Sequence, residues 1–274
     1  MPVEHAEPSP ALVATEAWGG RGAVAGARLP VPRTSRSVWG YLFMPAVLGL
    51  AALLLFLWVQ GKTLDSIERR RVNRDVIYES IVDHLKLSGA STVFVILIAV
   101  PLGILLTRPF ARWITPGVVG LANIGQMVPS IGVLVLLALS WKIGFQPAVV
   151  ALVAYTTLPV LRNTMVGLQQ VDASLIEAGR GMGMTKLAVL GRVELPLAVP
   201  VILAGVRTAL VINVGAATLA TFTAAGGLGD IISAGISTSR NTTIVTGAVL
   251  TGILALFIDW VGGVVEDVLR PKGL

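Results

Sequence analysis

Residues 174–196 read SLIEAGRGMGMTKLAVLGRVELP, and this charged, glycine-punctuated stretch lies between strongly apolar blocks. Ser174 and Glu177 have the spacing of a capping box, in which two side chains satisfy free backbone N–H groups at a helix start. The glycines of the GMG run favour a turn after that helix, and a second helix is expected from about Thr185. The stretch therefore predicts two short helices joined by a bend, which together form a protruding knob.

The composition is that of a membrane protein, with 54% hydrophobic and only 13% charged residues and a mean hydropathy of +0.81. Soluble domains carry about 25% charged residues. The chain has no cysteine, which excludes disulfides, thiolate chemistry and thiolate metal ligands. Although the net charge is +6, the basic residues flank the apolar blocks as membrane topology favours, so no nucleic-acid partner is expected.

Six segments are long and apolar enough to cross a bilayer, whose hydrocarbon core needs about 20 apolar residues per helix. They are residues 41–60, 87–107, 116–140, 147–168, 197–221 and 243–265. Pro116 and Pro129 interrupt the third segment, which predicts a kink or a break rather than a straight helix. The chain is therefore predicted to be an all-α, polytopic membrane helical bundle.

The remaining segments suggest the domain organisation. Residues 1–38 lack apolar periodicity, which predicts a disordered tail. Residues 39–61 are expected to form a retained N-terminal anchor, because the acidic opening of the chain is unlike a cleaved signal peptide. Residues 62–86 combine an arginine run with helically spaced apolar positions, which predicts a charged linker helix, either amphipathic on the membrane or simply solvated. Residues 87–270 then form the main transmembrane domain, with the knob at 172–196.

The knob carries a recognisable spacing of residues: Glu177-Ala178-Gly179, then Gly183, then Leu195-Pro196. This spacing resembles the EAA loop of the permease subunits of ATP-binding-cassette (ABC) importers, which docks into a groove of the cytoplasmic ATPase. The resemblance extends from about residue 78 to 270, where the chain is similar to the permeases of bacterial importers for the osmoprotectants glycine betaine, carnitine and choline. The matching stretches are PLGILLTRP (101–109), ANIGQMVPS (122–130), LPVLRNTMVGLQQVDASLIEAGRGMGM (158–184), VELPLAVPVILAGVRTALVINVGAATLA (193–220) and AAGGLGD (224–230).

This resemblance implies a five-helix type I importer core with one added N-terminal helix. It implies that the ATPase is contacted by Glu177, Ala178, Gly179, Gly183, Leu195 and Pro196. Gly179 stands where the loop has a second alanine, an exchange that weakens a helix by about 1 kcal/mol at most. The implied partners are a cytoplasmic ABC ATPase dimer, a second permease chain, identical or paralogous, and an extracytoplasmic substrate-binding protein. The chain itself is then a transport subunit without catalytic residues or a cofactor, and the ATPase uses the ATP.

The orientation follows from the knob, because a knob that meets an ATPase lies in the cytoplasm. Six spans then put both termini on the cytoplasmic side of a bacterial inner membrane. Arg108 and Arg112 fall on the same side, as the positive-inside rule favours. The arginines of segment 62–86 would lie outside and depart from that rule.

A few polar residues lie within the apolar spans. Arg207 sits about ten residues into its span, where an unpaired charge costs several kcal/mol. Asp259 is a plausible partner, the alternative being an arginine that snorkels towards water. Gln126, Asn213 and Arg207 are candidates for the translocation path, since polar groups at membrane depth tend to line cavities. For Gln126 and Asn213 the alternative is an interhelical hydrogen bond.

Two further patterns bear on whether the chain has a ligand site. The GGLGD run at 226–230 lacks the Gly-Lys-Ser/Thr of a phosphate-binding loop, and the resemblance implies a re-entrant turn on the outer side. The two histidines, His5 and His84, are too far apart in sequence to build a metal site by themselves. No metal site is therefore expected.

Several alternatives remain open from the sequence. Within the importer class the cargo could be methionine or another amino acid. An ion-coupled secondary transporter would have inverted repeats, and a membrane-bound enzyme would need clustered titratable residues; neither is visible. Only 6% of the residues are aromatic and no cage for a quaternary amine stands out, so cargo selectivity is expected to reside in a separate binding protein.

Overall fold

The computed structural model describes residues 38–269, and every regular element in that range is helical. The predicted disordered tail, residues 1–38, therefore lies almost entirely outside the described residues. The α-helices are α1 Val38–Gln60, α2 Ser66–Arg71, α3 Arg74–Leu106, α4 Thr115–Met127, α5 Ser130–Ser140, α6 Phe145–Gln169, α7 Ala173–Gly181, α8 Lys186–Val189, α9 Leu195–Ala217, α10 Leu228–Ser237 and α11 Asn241–Leu269. Short 3-10 turns cover Pro109–Ala111 and Thr218–Thr223, and one π-helical turn covers Leu190–Glu194.

The predicted membrane bundle is confirmed. Five helices, α1, α3, α6, α9 and α11, are each long and apolar enough to cross a membrane, and α4 and α5 meet the same criterion as a pair bent by 91°. The bend falls at Val128 and Pro129, between the two helices. Proline lacks an N–H group and its ring excludes the carbonyl four residues earlier, so a helix stops there. The predicted break in the third span is therefore confirmed.

The helix α3 is longer than the span predicted for it. It runs without interruption over 33 residues from its N-cap Asn73, whose side chain accepts a hydrogen bond from the backbone N–H of Val76 at 2.9 Å. The predicted boundary between a linker helix and the transmembrane domain, at residues 86 and 87, falls inside this helix. At 1.5 Å per residue α3 is about 50 Å long, so about 20 Å of it lies beyond a 30 Å hydrocarbon core.

The centre of the bundle is formed by α3, α6 and α9, with α6 packed against both of the others and α9 also against α11. Small residues allow the close approach. A methyl group at Gly103 would come within 2.8 Å of Thr164, and one at Gly205 would come within 2.5 Å of Asn163. Contacts of this kind replace the hydrophobic effect as the main source of helix association inside a membrane.

The first helix, α1, lies at the periphery of the bundle and most of its surface is unburied. Its first turns are nevertheless attached to α11. The Trp260 indole N–H donates to the carbonyl oxygen of Tyr41 at 3.1 Å, and the Tyr41 hydroxyl lies 3.0 Å from an Asp267 carboxylate oxygen. The N-terminal end of α1 and the C-terminal end of α11 therefore lie on the same side of the bundle.

Asn213 is a polar residue of α9 whose side chain is fully buried at the centre of the bundle. Its amide nitrogen donates to the Thr92 hydroxyl at 2.9 Å, and its amide oxygen lies 3.1 Å from the Thr156 hydroxyl. These three residues belong to α9, α3 and α6. One amide side chain therefore connects the three central helices, and in hydrocarbon no water competes for its hydrogen bonds.

We expect Asn213→Leu to weaken the bundle while keeping the volume of the side chain. The exchange removes two interhelical hydrogen bonds, each of which contributes about 0.6–2 kcal/mol in membrane proteins. The free energy of unfolding, measured by titration with a denaturing detergent in mixed micelles, should fall by about 1–3 kcal/mol.

Thr208→Val on the same helix is the matched control. The Thr208 side chain is exposed, and its hydroxyl donates only to the carbonyl oxygen of Ala204 within α9. Equal losses in the two variants would contradict a special role for the Asn213 connections.

Candidate functional site

The predicted knob is present and comprises residues 172–194: the short helices α7 and α8 followed by the π-helical turn that leads into α9. The helix α7 ends at Gly181, and Gly183 has a φ of +84°, which favours glycine. The Thr185 hydroxyl accepts a hydrogen bond from the N–H of Ala188 at 3.2 Å and so caps α8. The bend at the glycines and the second helix after Thr185 are therefore confirmed.

The capping box predicted at Ser174 and Glu177 is wrong. The N-cap of α7 is Asp172, whose carboxylate accepts a hydrogen bond from the N–H of Ser174 at 2.9 Å. Ser174 is therefore already inside the helix, and Glu177 lies beyond its first turn. Aspartate is as good an N-cap as serine, and its negative charge is stabilised at a helix N-terminus.

Glu177 is consequently available for another role. Its side chain is exposed and makes no hydrogen bond or ion pair with any residue in the range 38–269. Ala178 beside it is also exposed, whereas Gly179 faces inward and is buried. A methyl group at Gly179 would lie 3.4 Å from Met184 and Val189, which is ordinary contact, so the alanine of the related loops would fit.

The outer surface of the knob is unusually apolar for an exposed segment. Met182 and Leu187 are each 78% exposed, and Leu175 is 47% exposed. Glu177 and Arg180 in α7 are exposed as well, so the knob presents both apolar and charged side chains. Exposed apolar surfaces rimmed by polar residues mark interaction sites.

The base of the knob is fixed by an ion pair that the sequence did not predict. The Arg108 guanidinium meets both carboxylate oxygens of Glu194, at 2.6 and 3.3 Å, and the Glu194 side chain is buried. Arg108 follows the end of α3, and Glu194 ends the π-helical turn before α9. Leu195 and Pro196, the predicted end of the contact region, open α9 directly above this pair and are half-buried. The knob is therefore tied to two membrane helices.

The residues proposed for a translocation path do not form one polar site. The Gln126 amide donates to the carbonyl oxygen of Tyr155 at 3.1 Å, between α4 and α6. Asn213 is fully buried among the central helices and forms interhelical hydrogen bonds, which was the alternative to a position on a cavity. No hydrogen bond joins any two of Gln126, Asn213 and Arg207.

Arg207 forms the ion pair expected with Asp259. Its Nε and one terminal nitrogen each lie 2.6 Å from a different Asp259 carboxylate oxygen, and Glu266 is 3.7 Å away on the same face of α11. This two-point geometry is the strongest that arginine and a carboxylate can form. The charge therefore faces a neighbouring helix and not lipid.

The GGLGD run forms a turn that leads into the short helix α10. Gly226 and Gly227 have φ values of +82° and +102°, which only glycine adopts easily. The following N–H, of Leu228, donates to Nδ1 of His84 at 3.3 Å, while Nε2 of His84 donates to the carbonyl oxygen of Val214 at 2.8 Å. His84, which the sequence suggested only as an unlikely metal ligand, instead joins α3, α9 and α10. Between residues 38 and 269 no group of three potential metal-ligating side chains occurs.

Known proteins are similar to this chain in both sequence and fold. Residues 99–272 match the family described as "Binding-protein-dependent transport system inner membrane component". A carnitine transport permease protein, OpuCD of Listeria monocytogenes, is 40% identical over 208 residues, 75% of this chain and 92% of that protein. A glycine betaine/carnitine/choline transport system permease protein, OpuCB of Bacillus subtilis, is 43% identical over 192 residues, 70% of this chain and 88% of that protein.

The similar solved structures include the inward-facing MetNI methionine ABC transporter. Its matching chain is 26% identical, and the alignment has a TM-score of 0.64 and covers 73% of this chain and all of that one. The fold of this chain is thus similar to that of an importer subunit whose cargo, methionine, differs from the carnitine, glycine betaine and choline of the sequence relatives.

We expect Asp259→Asn to destabilise the bundle, because it leaves Arg207 without its principal counter-charge inside the membrane. Because this pair is only partly buried, loss of one partner should cost about 1–2 kcal/mol, less than for a fully buried pair, whereas replacing both partners with apolar residues should be close to neutral. Unfolding in mixed micelles should therefore show a clear loss for Asp259→Asn and recovery in Arg207→Leu/Asp259→Leu.

The double variant also tests the predicted path role of Arg207. Uptake retained at the recovered stability means that the pair is purely structural. Uptake lost at the recovered stability means that the guanidinium acts on the transported molecule.

Proposed function

The chain belongs to the family of binding-protein-dependent transport system inner membrane components, and on this basis we propose which cargo it carries and how it is coupled to ATP. It is a permease subunit of an ABC importer, as its relatives and structural neighbours are. The cargo that we propose is a small quaternary amine of the glycine betaine, carnitine and choline type.

The cargo proposal is supported by the relatives of higher identity. The carnitine and glycine betaine/carnitine/choline permeases are 40% and 43% identical to this chain, whereas the methionine transporter chain is only 26% identical. An amino-acid cargo is therefore the weaker alternative. The side chains that select the cargo are proposed to lie in a separate extracytoplasmic binding protein.

The knob is proposed to be the contact with a cytoplasmic ATPase dimer. The observation that carries this proposal is the exposure of the apolar side chains of Met182 and Leu187 on the knob, together with a Glu177 carboxylate that pairs with no residue in the range 38–269. ATP is proposed to be used by the ATPase, and this chain to bind no cofactor. Closure of the ATPase dimer on ATP would move the knob, and the Arg108–Glu194 ion pair would transmit the movement to α3 and α9.

The remaining partners and the orientation complete the proposal. A second permease chain, identical or paralogous, would form the pore together with this one in a bacterial inner membrane. Both termini are proposed to be cytoplasmic, on the side of the knob, where Arg108, Arg112, Arg180 and Lys186 follow the positive-inside rule.

The decisive test is purification of the tagged chain from its native membrane in a mild detergent, with mass spectrometry of all stoichiometric partners. An ATPase and a binding protein are expected, and the latter can be titrated with glycine betaine, carnitine and choline. Binding of methionine but of none of these amines would overturn the cargo proposal. Recovery of the intact chain without an ATPase, together with ATP-independent uptake, would indicate a secondary transporter.

We expect Glu177→Lys to uncouple transport from ATP hydrolysis, because the reversed charge faces the ATPase while the helix and its Asp172 cap stay intact. In proteoliposomes containing the complete importer, ATP-driven uptake should fall at least tenfold, which corresponds to about 1.4 kcal/mol of lost interaction. The ATPase should still be present, at reduced occupancy, in the purified complex.

Gly179→Ala is the matched control two residues away. The added methyl group fits at 3.4 Å and raises helix propensity, so uptake and stability should equal or exceed those of the wild type. Unchanged uptake in Glu177→Lys would remove that side chain from the coupling mechanism.

A further inference from the structure

A run of arginines occupies the segment that departs from the positive-inside rule. Arg70 and Arg71, in α2, are exposed, and their guanidinium groups make no hydrogen bond or ion pair with residues 38–269. Arg69 beside them is engaged differently, since its Nε donates to the carbonyl oxygen of Leu64 at 3.1 Å. Two neighbouring cations on this short helix therefore lack a partner among residues 38–269.

The helix that carries these cations is held in place at both ends. Asp65 and Glu68 form a capping box at its N-terminus, and Asp65 also lies 2.7 Å from Nε of Arg240, in the turn between α10 and α11. The pKa of Asp65 is lowered because the N–H of Glu68 and the Arg240 cation both favour its carboxylate form. Asn73 then caps α3 immediately after α2. The arginines are thus presented on a fixed support, which reduces the entropy lost on binding.

A polar cavity of about 490 Å³ opens beside the two arginines. Arg70 and Arg71 line one wall, and α10 lines the other with Asp230 and the hydroxyl groups of Ser233 and Ser237. Two guanidinium groups against one carboxylate leave the cavity cationic. Hydroxyl groups and arginines are the donors that a carboxylate side chain needs.

These features favour a protein partner over lipid. Under the orientation proposed above, α2 lies on the extracytoplasmic side, from which a substrate-binding protein would approach, and an excess of positive charge there would steer an acidic partner surface towards it. The wall opposite the arginines carries the hydroxyl groups of Ser233 and Ser237 beside Ala234, so it is only partly apolar. We propose that Arg70, Arg71 and this cavity form a docking site for an acidic surface of the extracytoplasmic binding protein, an inference that rests on the proposed function.

Docking at this position would act on the centre of the bundle. The far wall of the cavity is α10, whose first N–H group is held by His84 of α3. The same histidine holds the end of α9 through the carbonyl oxygen of Val214. A load on α10 therefore reaches both α3 and α9 through a single buried side chain.

Arg74 provides a matched control within the same arginine-rich segment. It is also exposed and lies three residues from Arg71, but it borders a different cavity, the largely apolar one of about 870 Å³ between α1 and α3. Reversal of its charge changes the net charge of this face as much as reversal at Arg70 or Arg71 does. A general electrostatic effect would therefore show in all three variants.

The experiment measures the Kd of the co-purified binding protein for the complete importer in nanodiscs of zwitterionic phosphatidylcholine. We expect Arg70→Glu and Arg71→Glu each to raise the Kd at least threefold, and the double variant about tenfold. Arg74→Glu should stay within twofold of the wild type. The wild-type Kd should rise with salt while that of the double variant changes little, because the attraction between unlike charges is screened. Thermal unfolding of each complex verifies that the variants are folded.

Several results would overturn the docking site. The first is an unchanged Kd in the folded double variant Arg70→Glu/Arg71→Glu, and the second is an equal rise of the Kd in all three single variants. The third is a change of the Kd that appears only in nanodiscs containing anionic phosphatidylglycerol, which would assign the arginines to lipid. If the wild-type importer itself binds no binding protein, the proposed function fails as well. Binding by the wild type and the variants alike refutes the docking site alone.

Discussion

Every polar group placed in the hydrocarbon region must find its hydrogen-bond partner within the protein, since no water is available there. This requirement explains why Asn213 connects three helices through Thr92 and Thr156, and why Arg207 is turned towards Asp259. His84, which is buried near the outer end of α3, likewise meets one donor and one acceptor on two further helices. Each of these polar side chains fixes the relative positions of helices that apolar packing alone would leave free to slide.

As a result, the polar groups of the interior are paired, and the groups available for contact with other molecules lie at the two ends of the bundle. At one end the knob exposes apolar side chains and an unpaired carboxylate, and its base is held by the Arg108–Glu194 pair. At the other end the short helix α2 presents arginines beside a hydroxyl-lined cavity. Both ends combine a rigid support with chemical groups that remain unsatisfied within the described chain. Such an arrangement suits a transport subunit that works by contact with other proteins.

The sequence was informative where a single local rule decides the structure. Span positions follow from apolar length, the break at Pro129 from the missing N–H of proline, and the turn at Gly183 from the ease with which glycine adopts a positive φ. It misled where two residues compete, because Asp172 and Ser174 are equally good caps and only the start of α7 selects between them. The change from charged to apolar residues near position 86 also suggested a boundary between a linker helix and the transmembrane domain. In the structure the helix α3 continues through this position, and only the polarity of its residues changes there.

The contacts that the sequence could not supply are those between distant segments. His84 and Val214 are 130 residues apart, and Arg108 and Glu194 are 86 apart, so no spacing rule relates them. Arg207 and Asp259 were predicted as a pair only because a lone charge in an apolar span requires a counter-charge. Glu194 belongs to a charged segment between apolar spans, where no counter-charge is required, so its burial and its pairing give no comparable signal in the sequence.

The uninterrupted length of α3 has a mechanical consequence. One end lies beside the arginines of α2, and the other leads into Arg108 beneath the knob, so a single rod joins the two faces of the protein. Pro101 lies near the knob end of the rod and weakens the backbone hydrogen bonding there. The outer tip is roughly 40 Å from Pro101, so a tilt of about 5° at this position would move the tip by roughly 3–4 Å. A small change of angle near the knob would therefore become a displacement about as large as a side chain at the opposite face of the protein.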